Sequence, residues 1–173
     1  MAENVGVIAF AYGQQRAKTA GPSNEVIGSI ALYVKCEEQK QGREVQLATQ
    51  WEVDVYCDKQ SQPADLRVSE YCDAETHYID TKRALDDSLV YFKKHRVTRI
   101  ILVGHSLHLW SIRLLIATKQ WDVGTVTIDT RYKKRMLAVP FDKSLGNQQR
   151  WTRGPIVFIA YLVKVLLTKK HGR

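Results

Sequence analysis

Two imidazoles and a hydroxyl lie within four consecutive residues at Gly104-His105-Ser106-Leu107-His108. Histidine titrates near neutral pH, so His105 and His108 can act as acid, base or metal ligand, and Ser106 can act as a nucleophile. The stretch is close to a G-x-S-x-G elbow, where a strained strand-to-helix turn exposes a serine for attack on a carbonyl. His108 replaces the second glycine, which that elbow needs for close helix packing. Only His171 follows as a histidine, although the usual order places the triad's histidine downstream of the serine. The alternative chemistry is anion binding. Free N–H groups and the positive end of a helix dipole favour an anion, so Ser106 and the Gly104 backbone would hold it, with His108 as acid or base. In the blandest reading, Ser106 only caps the helix and the histidines bond locally.

The elements that must position this turn follow from apolar patterning. Arg99-Ile-Ile-Leu-Val103 reads as a buried strand, and Leu109 to Gln120 as the helix after the turn, with Ile112, Leu115, Ile116 and Lys119 at helical spacing. Asn4 to Tyr12 is a nearly continuous apolar run ending at Gly13, the pattern of a strand buried on both faces. Ser23 is the expected cap of a helix ending near Gly42. Val45 to Tyr56 alternates as a second strand, Ser61 to Arg67 reads as a short helix opened by Pro63, and Asp80 or Thr81 caps a helix whose face is Ala84, Leu85, Ser88, Leu89 and Phe92. Val123 to Asp129 reads as a further strand, residues 131–150 as a basic loop, and Pro155 to Thr168 as a helix packed on the sheet.

Strands alternating with helices imply parallel pairing, right-handed crossovers and ligands beyond the carboxyl ends of the strands. The expected fold is α/β, a single-domain Rossmann-like three-layer sandwich with a mostly parallel sheet. Its ligand-facing ends are Tyr12 to Arg16, Tyr56 to Lys59, Val103 to His108 and Asp129 to Tyr132. Gly13, Gly104, Asp129 and Arg131 therefore join the candidate ligand-binding set, and the helix start at Thr81 could face the same cleft opposite Ser106. His77 and Glu75 precede Thr81 and could reach it, and Arg150-Trp151-Thr152-Arg153 could hold a phosphate or brace the last helix.

The 173 residues suffice to bury roughly 70% of the unfolded chain's surface. Charge is uneven. Residues 131–173 hold 11 Lys/Arg against the single acid Asp142, whereas residues 1–130 hold 15 Lys/Arg against 17 Asp/Glu. The basic segment could draw a phosphate-bearing small molecule, nucleic acid or an anionic lipid surface. Cys36, Cys57 and Cys72 are odd in number, without a CxxC, and read as buried free thiols of a reducing cytosol. The N-terminus lacks a basic n-region, so a cytoplasmic location is expected, and the 14-residue last helix is too short for a transmembrane segment, which needs about 20 residues. There is no GxxxxGK[ST], no GxGxxG after the first strand and no HExxH, and no metal site is expected.

Four stretches resemble the SanA/YdcF-like family, small Rossmann-like bacterial proteins described as a domain of unknown function. They are Val7 to Gly13, Ile30-Ala31-Leu32-Tyr33, Asp80 to Leu85, and Ile101 to His108 with Arg113 beyond. The resemblance implies a Rossmann-like fold, a polar cleft at the strand ends with Thr81 and His108 at signature positions, and envelope-related functions. It also implies nucleotide-like ligands, S-adenosylmethionine in some members. Ala84 stands where the family carries asparagine, His105 where it carries threonine or serine, and Ser111 where it carries arginine. The leading expectation is a protein binding a small anionic or nucleotide-like ligand, with hydrolase or transferase chemistry open. A non-enzymatic binder of nucleic acid or an anionic membrane surface, and a serine esterase using Ser106, are the alternatives.

Overall fold

The computed structural model describes residues 3–13, 19–69, 80–118, 122–143 and 154–168. The chain runs β1 (Asn4–Ala9), α1 (Gly21–Lys40), β2 (Glu44–Gln50), α2 (Trp51–Lys59), β3 (Leu66–Val68), α3 (Thr81–Lys94), β4 (Arg99–Val103), α4 (Ser106–Ala117), β5 (Thr127–Asp129), a 3-10 turn (Arg135–Ala138) and α5 (Pro155–Thr168). The strands form one sheet in the order β3-β2-β1-β4-β5, and every pairing is parallel. This is the α/β Rossmann-like sandwich expected from the alternation of strands and helices.

The centre of the sheet is covered on both faces. Successive strand residues point to opposite faces, and Val5, Val7, Ile8 and Ala9 of β1 and Ile100 to Val103 of β4 are all buried. The even-numbered face of β1 is close to α3. A Cβ at Gly6 would lie 2.4 Å from the Phe92 ring, so glycine there admits the aromatic that anchors that helix. Asp80 caps α3 as expected, accepting from the Arg83 N–H at 2.7 Å, and Ala84, Leu85, Ser88 and Phe92 are its buried face.

Several boundaries differ from the sequence reading. The alternation in Val45 to Tyr56 spans two elements, because β2 stops at Gln50 and Trp51 begins α2. Trp51 and Val53 are buried, but so are Glu52 and Asp54, so the period of two did not mark one wet and one dry face. Asp54 accepts from the Ala64 N–H at 2.9 Å, tying the first turn of α2 to the segment before β3. Residues 61–67 form no helix; Leu66–Val68 pair with Ala48 to Gln50 as β3. Ser23 is not a cap but lies inside α1, buried, donating to the Pro140 carbonyl at 2.9 Å. The strand before Asp129 is only Thr127–Asp129. Cys57 is a buried free thiol, whereas Cys36 is exposed, and Cys72 lies outside the described residues.

α5 sits where the sequence placed a last helix, but it does not bury itself. It packs against α4 and inserts Phe158, while Ile156, Val157, Ile159 and Val163 remain exposed. No helix among the described residues is long and apolar enough to cross a membrane.

Candidate functional site

In an open parallel sheet of order 3-2-1-4-5, the connections leave in opposite directions at β1 and β4, and ligands bind beyond the carboxyl ends of those strands. Here that place is the turn 104–108 together with Phe10 to Gly13. The Phe10 N–H donates to the Val103 carbonyl at 2.9 Å, carrying the β1–β4 pairing one step past Ala9. Gly104 lets the strand turn tightly, since a Cβ there would sit 3.3 Å from Leu109 and 3.4 Å from the Phe10 carbonyl oxygen. His105, not Ser106, is the helix cap, and its Nδ1 accepts from the Leu107 N–H at 3.3 Å. That bond leaves the proton of the neutral ring on Nε2.

The two histidines point inward and Ser106 outward. His105 stacks on Tyr12, ring centroids 4.0 Å apart and planes within 8°, and the Phe141 ring lies tilted beside it with centroids 4.5 Å apart. His108 shares a 2.9 Å hydrogen bond with Thr81 Oγ1, joining α4 to the start of α3. Burial pushes His105 down to about 4 and His108 to about 3, so both imidazoles are neutral at physiological pH. Thr81 and His108 thus meet at a partly buried contact between the starts of two helices.

The crevice above β1 is filled by the chain itself. Asn24 accepts from the Tyr12 N–H and donates to the Gly13 carbonyl, both at 2.8 Å, clamping the loop like a strand partner. Gln50 accepts from the Ala11 N–H at 2.7 Å. Gly13 has φ +88, and a Cβ there would lie 2.5 Å from an Asp142 carboxylate oxygen. Glycine is required at position 13 by backbone conformation and by the close approach of Asp142. At the start of α2, Glu52 is buried with Oε2 unpartnered, and burial pushes its carboxyl up to about 8.

Outside this interior lies an open groove of about 300 Å³ along α4, lined by Ser106, Leu109, Trp110, Arg113, Lys133, Lys134, Met136 and Leu137. Its floor is apolar, its rim carries three cations, and no acid lines it. Neither Arg113, Lys133 nor Lys134 has a salt-bridge partner among the described residues. Arg113 Nε is buried with no hydrogen-bond partner among the described residues, and burial lowers the guanidinium's pKa. An unsatisfied buried donor favours an incoming acceptor, and a charged one favours an anion.

Asp129 and Arg131 belong elsewhere. Asp129 pairs with Arg99, and Arg131 bonds both Asp129 and Glu38. Glu38, fully buried near the end of α1, also receives Arg43 and Arg99 at 2.8 Å and Tyr132 Oη at 2.6 Å. Burial raises its carboxyl, but the hydrogen bonds from Tyr132 and Arg99 outweigh that and hold it below the ordinary range. These groups join β4, β5 and α1 through the side chain of Arg99, at the amino end of β4. Sequence reasoning missed Glu38, which carries no motif, and Asn24 and Tyr12, whose roles depend on a neighbouring chain segment. Glu52 was hidden by the strand-like alternation around it. Trp110 could have been found, since it lies one turn from Ser106 and Arg113 on one helix face. His77, Glu75 and Arg150 to Arg153 lie outside the described residues.

Among the described residues no group of three or more His, Cys, Asp or Glu side chains could hold a metal ion. The chain matches no family model, no curated protein and no solved structure.

Proposed function

We propose that the protein binds a small phosphate-bearing, nucleotide-like ligand in the groove along α4. The observation that carries this reading is a set of three cations, Arg113, Lys133 and Lys134, with no ion-pair partner among the described residues, facing an apolar floor beside the half-exposed indole of Trp110. Arg113 and the lysines would hold the phosphate, Ser106 would add a hydroxyl at the helix start, and Trp110 would stack on the base. The volume is at the lower end of ordinary small-molecule sites. The same cations disfavour S-adenosylmethionine, whose sulfonium is positive, and favour phosphorylated nucleosides.

His105 and His108 serve this site from behind. As neutral, stacked and hydrogen-bonded rings they fix where α4 begins, and so where Ser106 and Trp110 project. The esterase alternative is less well supported: Ser106 makes no hydrogen bond to either imidazole, whereas its base would need to sit within reach of the hydroxyl.

Isothermal titration with nucleoside monophosphates, S-adenosylmethionine and inorganic phosphate tests the reading. Micromolar-range binding of a phosphorylated nucleoside is expected, weakened about tenfold by Arg113→Ala, as loss of one charge-assisted hydrogen bond of about 1.5 kcal/mol implies. Binding unchanged by Arg113→Ala and Trp110→Ala, or no binding across the panel, would overturn it. Labelling of Ser106 by a fluorophosphonate would favour the esterase instead.

A further inference from the structure

A helix that is apolar on every face ordinarily sits deep in a core. α5 does not. Its sequence, Pro155-Ile-Val-Phe-Ile-Ala-Tyr-Leu-Val-Lys-Val-Leu-Leu-Thr168, has one charge, yet only Phe158 is buried among its first six side chains. Ile156 is 81% exposed and Ile159 55%. The neighbouring basic segment behaves similarly: Leu137 is 73% exposed between the exposed Lys134 and Ala138. Exposed aliphatic surface of this extent marks a docking face.

Charge decides what docks there. The segment 131–173 carries 11 Lys/Arg and one acid, and the helix is bracketed in sequence by Arg150 and Arg153 before it and by Lys169, Lys170 and Arg173 after it. A second copy would set +10 against +10. Nucleic acid would satisfy the charge but gives little reward for burying isoleucine and valine. An anionic bilayer surface satisfies both, taking aliphatic side chains at the acyl boundary and basic side chains among the headgroups. The helix is about 21 Å long at 1.5 Å per residue, short of the roughly 30 Å hydrocarbon core, so it would lie in the interface and not span it.

We propose that α5 and the flanking basic segment dock the protein onto anionic lipid surfaces, with Ile156 and Ile159 entering the bilayer interface and Lys133, Lys134 and their neighbours holding the headgroups. Flotation with phosphatidylcholine vesicles, with and without phosphatidylserine, tests this on the full chain. Binding is expected only when phosphatidylserine is present. Ile156→Glu with Ile159→Glu, both exposed and so compatible with folding, should weaken it at least about tenfold, with circular dichroism unchanged. Lys133→Ala with Lys134→Ala should weaken it about thirtyfold, from about 1 kcal/mol per basic residue. The isoleucine pair lies outside the α4 groove, so its loss of flotation leaves nucleotide binding intact and separates the two readings. Three results would overturn the proposal: no flotation with either vesicle, flotation unaffected by the isoleucine pair, or a dimer in sedimentation that the same pair dissolves. Retention on duplex DNA without vesicle binding would overturn it as well.

Discussion

Two buried polar clusters anchor this fold, and they are built on opposite principles. Around Glu38, near the amino end of β4, every charge is paired: one buried carboxylate receives Arg43, Arg99, Arg131 and Tyr132, and Asp129 receives Arg99 and Arg131. At the carboxyl ends of β1 and β4 the groups are neutral and stacked, with Tyr12, His105, His108 and Thr81 joined by ring contacts and one hydrogen bond. A completed ion network has no valence left for a ligand. Arg113, whose buried Nε has no hydrogen-bond partner among the described residues, lies instead in the α4 groove with Lys133 and Lys134. Asp129 and Arg131 have their charges matched within this network, and the proposed site moves outward from the histidines to the groove beside them.

The largest expected effect comes from breaking the paired cluster. Glu38→Ala removes the buried acceptor shared by Arg43, Arg99, Arg131 and Tyr132. It leaves Arg99 paired with Glu3 and Asp129 and Arg43 with Glu3, and should cost about 3 kcal/mol, the low end for breaking a buried ion pair. Denaturant unfolding measures it. A loss under about 1 kcal/mol would show that solvent already screens these charges.

The neutral cluster is best probed by pH. Folded His105 and His108 sit near 4 and 3 against an ordinary 6.5. Below about 6.5 the unfolded chain therefore takes protons first, and stability falls as pH drops toward about 4. Glu38, held below its ordinary 4.5, adds to this loss only beneath about 4.5. Glu52 runs the other way. Its folded value near 8 against 4.5 means its contribution is complete below about 4.5 and is lost as pH rises through about 8. Thermal melts should therefore decline on both the acid and the alkaline side. Glu52→Gln should flatten the alkaline decline and leave the acid one, and an unchanged alkaline limb would mean that the Glu52 carboxyl is wetter than its burial indicates.

The smallest effect sharpens the role of the filled crevice. Gly13→Ala should cost about 1–2 kcal/mol for left-handed backbone at φ +88, plus the displacement of Asp142. Asp142→Ala in the same chain should recover the second part alone. Full recovery would show that contact with Asp142, and not backbone conformation, fixes the glycine.

Much of this was legible in the chain. Arg99 to Val103 and Asn4 to Ala9 announced themselves as strands because both faces are buried and both had to be apolar. Asp80 announced α3 because a carboxylate before an amphipathic run satisfies the first free N–H groups. The turn 104–108 was visible as a strand end, and residues 131–173 as a basic segment. By contrast, Trp51 to Val55 alternates like a strand and folds as a helix, because tertiary packing buried Glu52 and Asp54 as well as Trp51 and Val53. No local rule could foresee that.

The sequence by itself determined the α/β alternation, the parallel sheet and the place where two strands diverge, since these follow from which residues must leave water. Only the tertiary structure decided which polar groups at that place meet each other and which remain open. His105 and His108 share a turn with Ser106, yet the sheet turns them inward against Tyr12 and Thr81 and leaves Ser106 facing Arg113 and the lysines. Periodicity records burial one side chain at a time, and pairing depends on segments about thirty or more residues away.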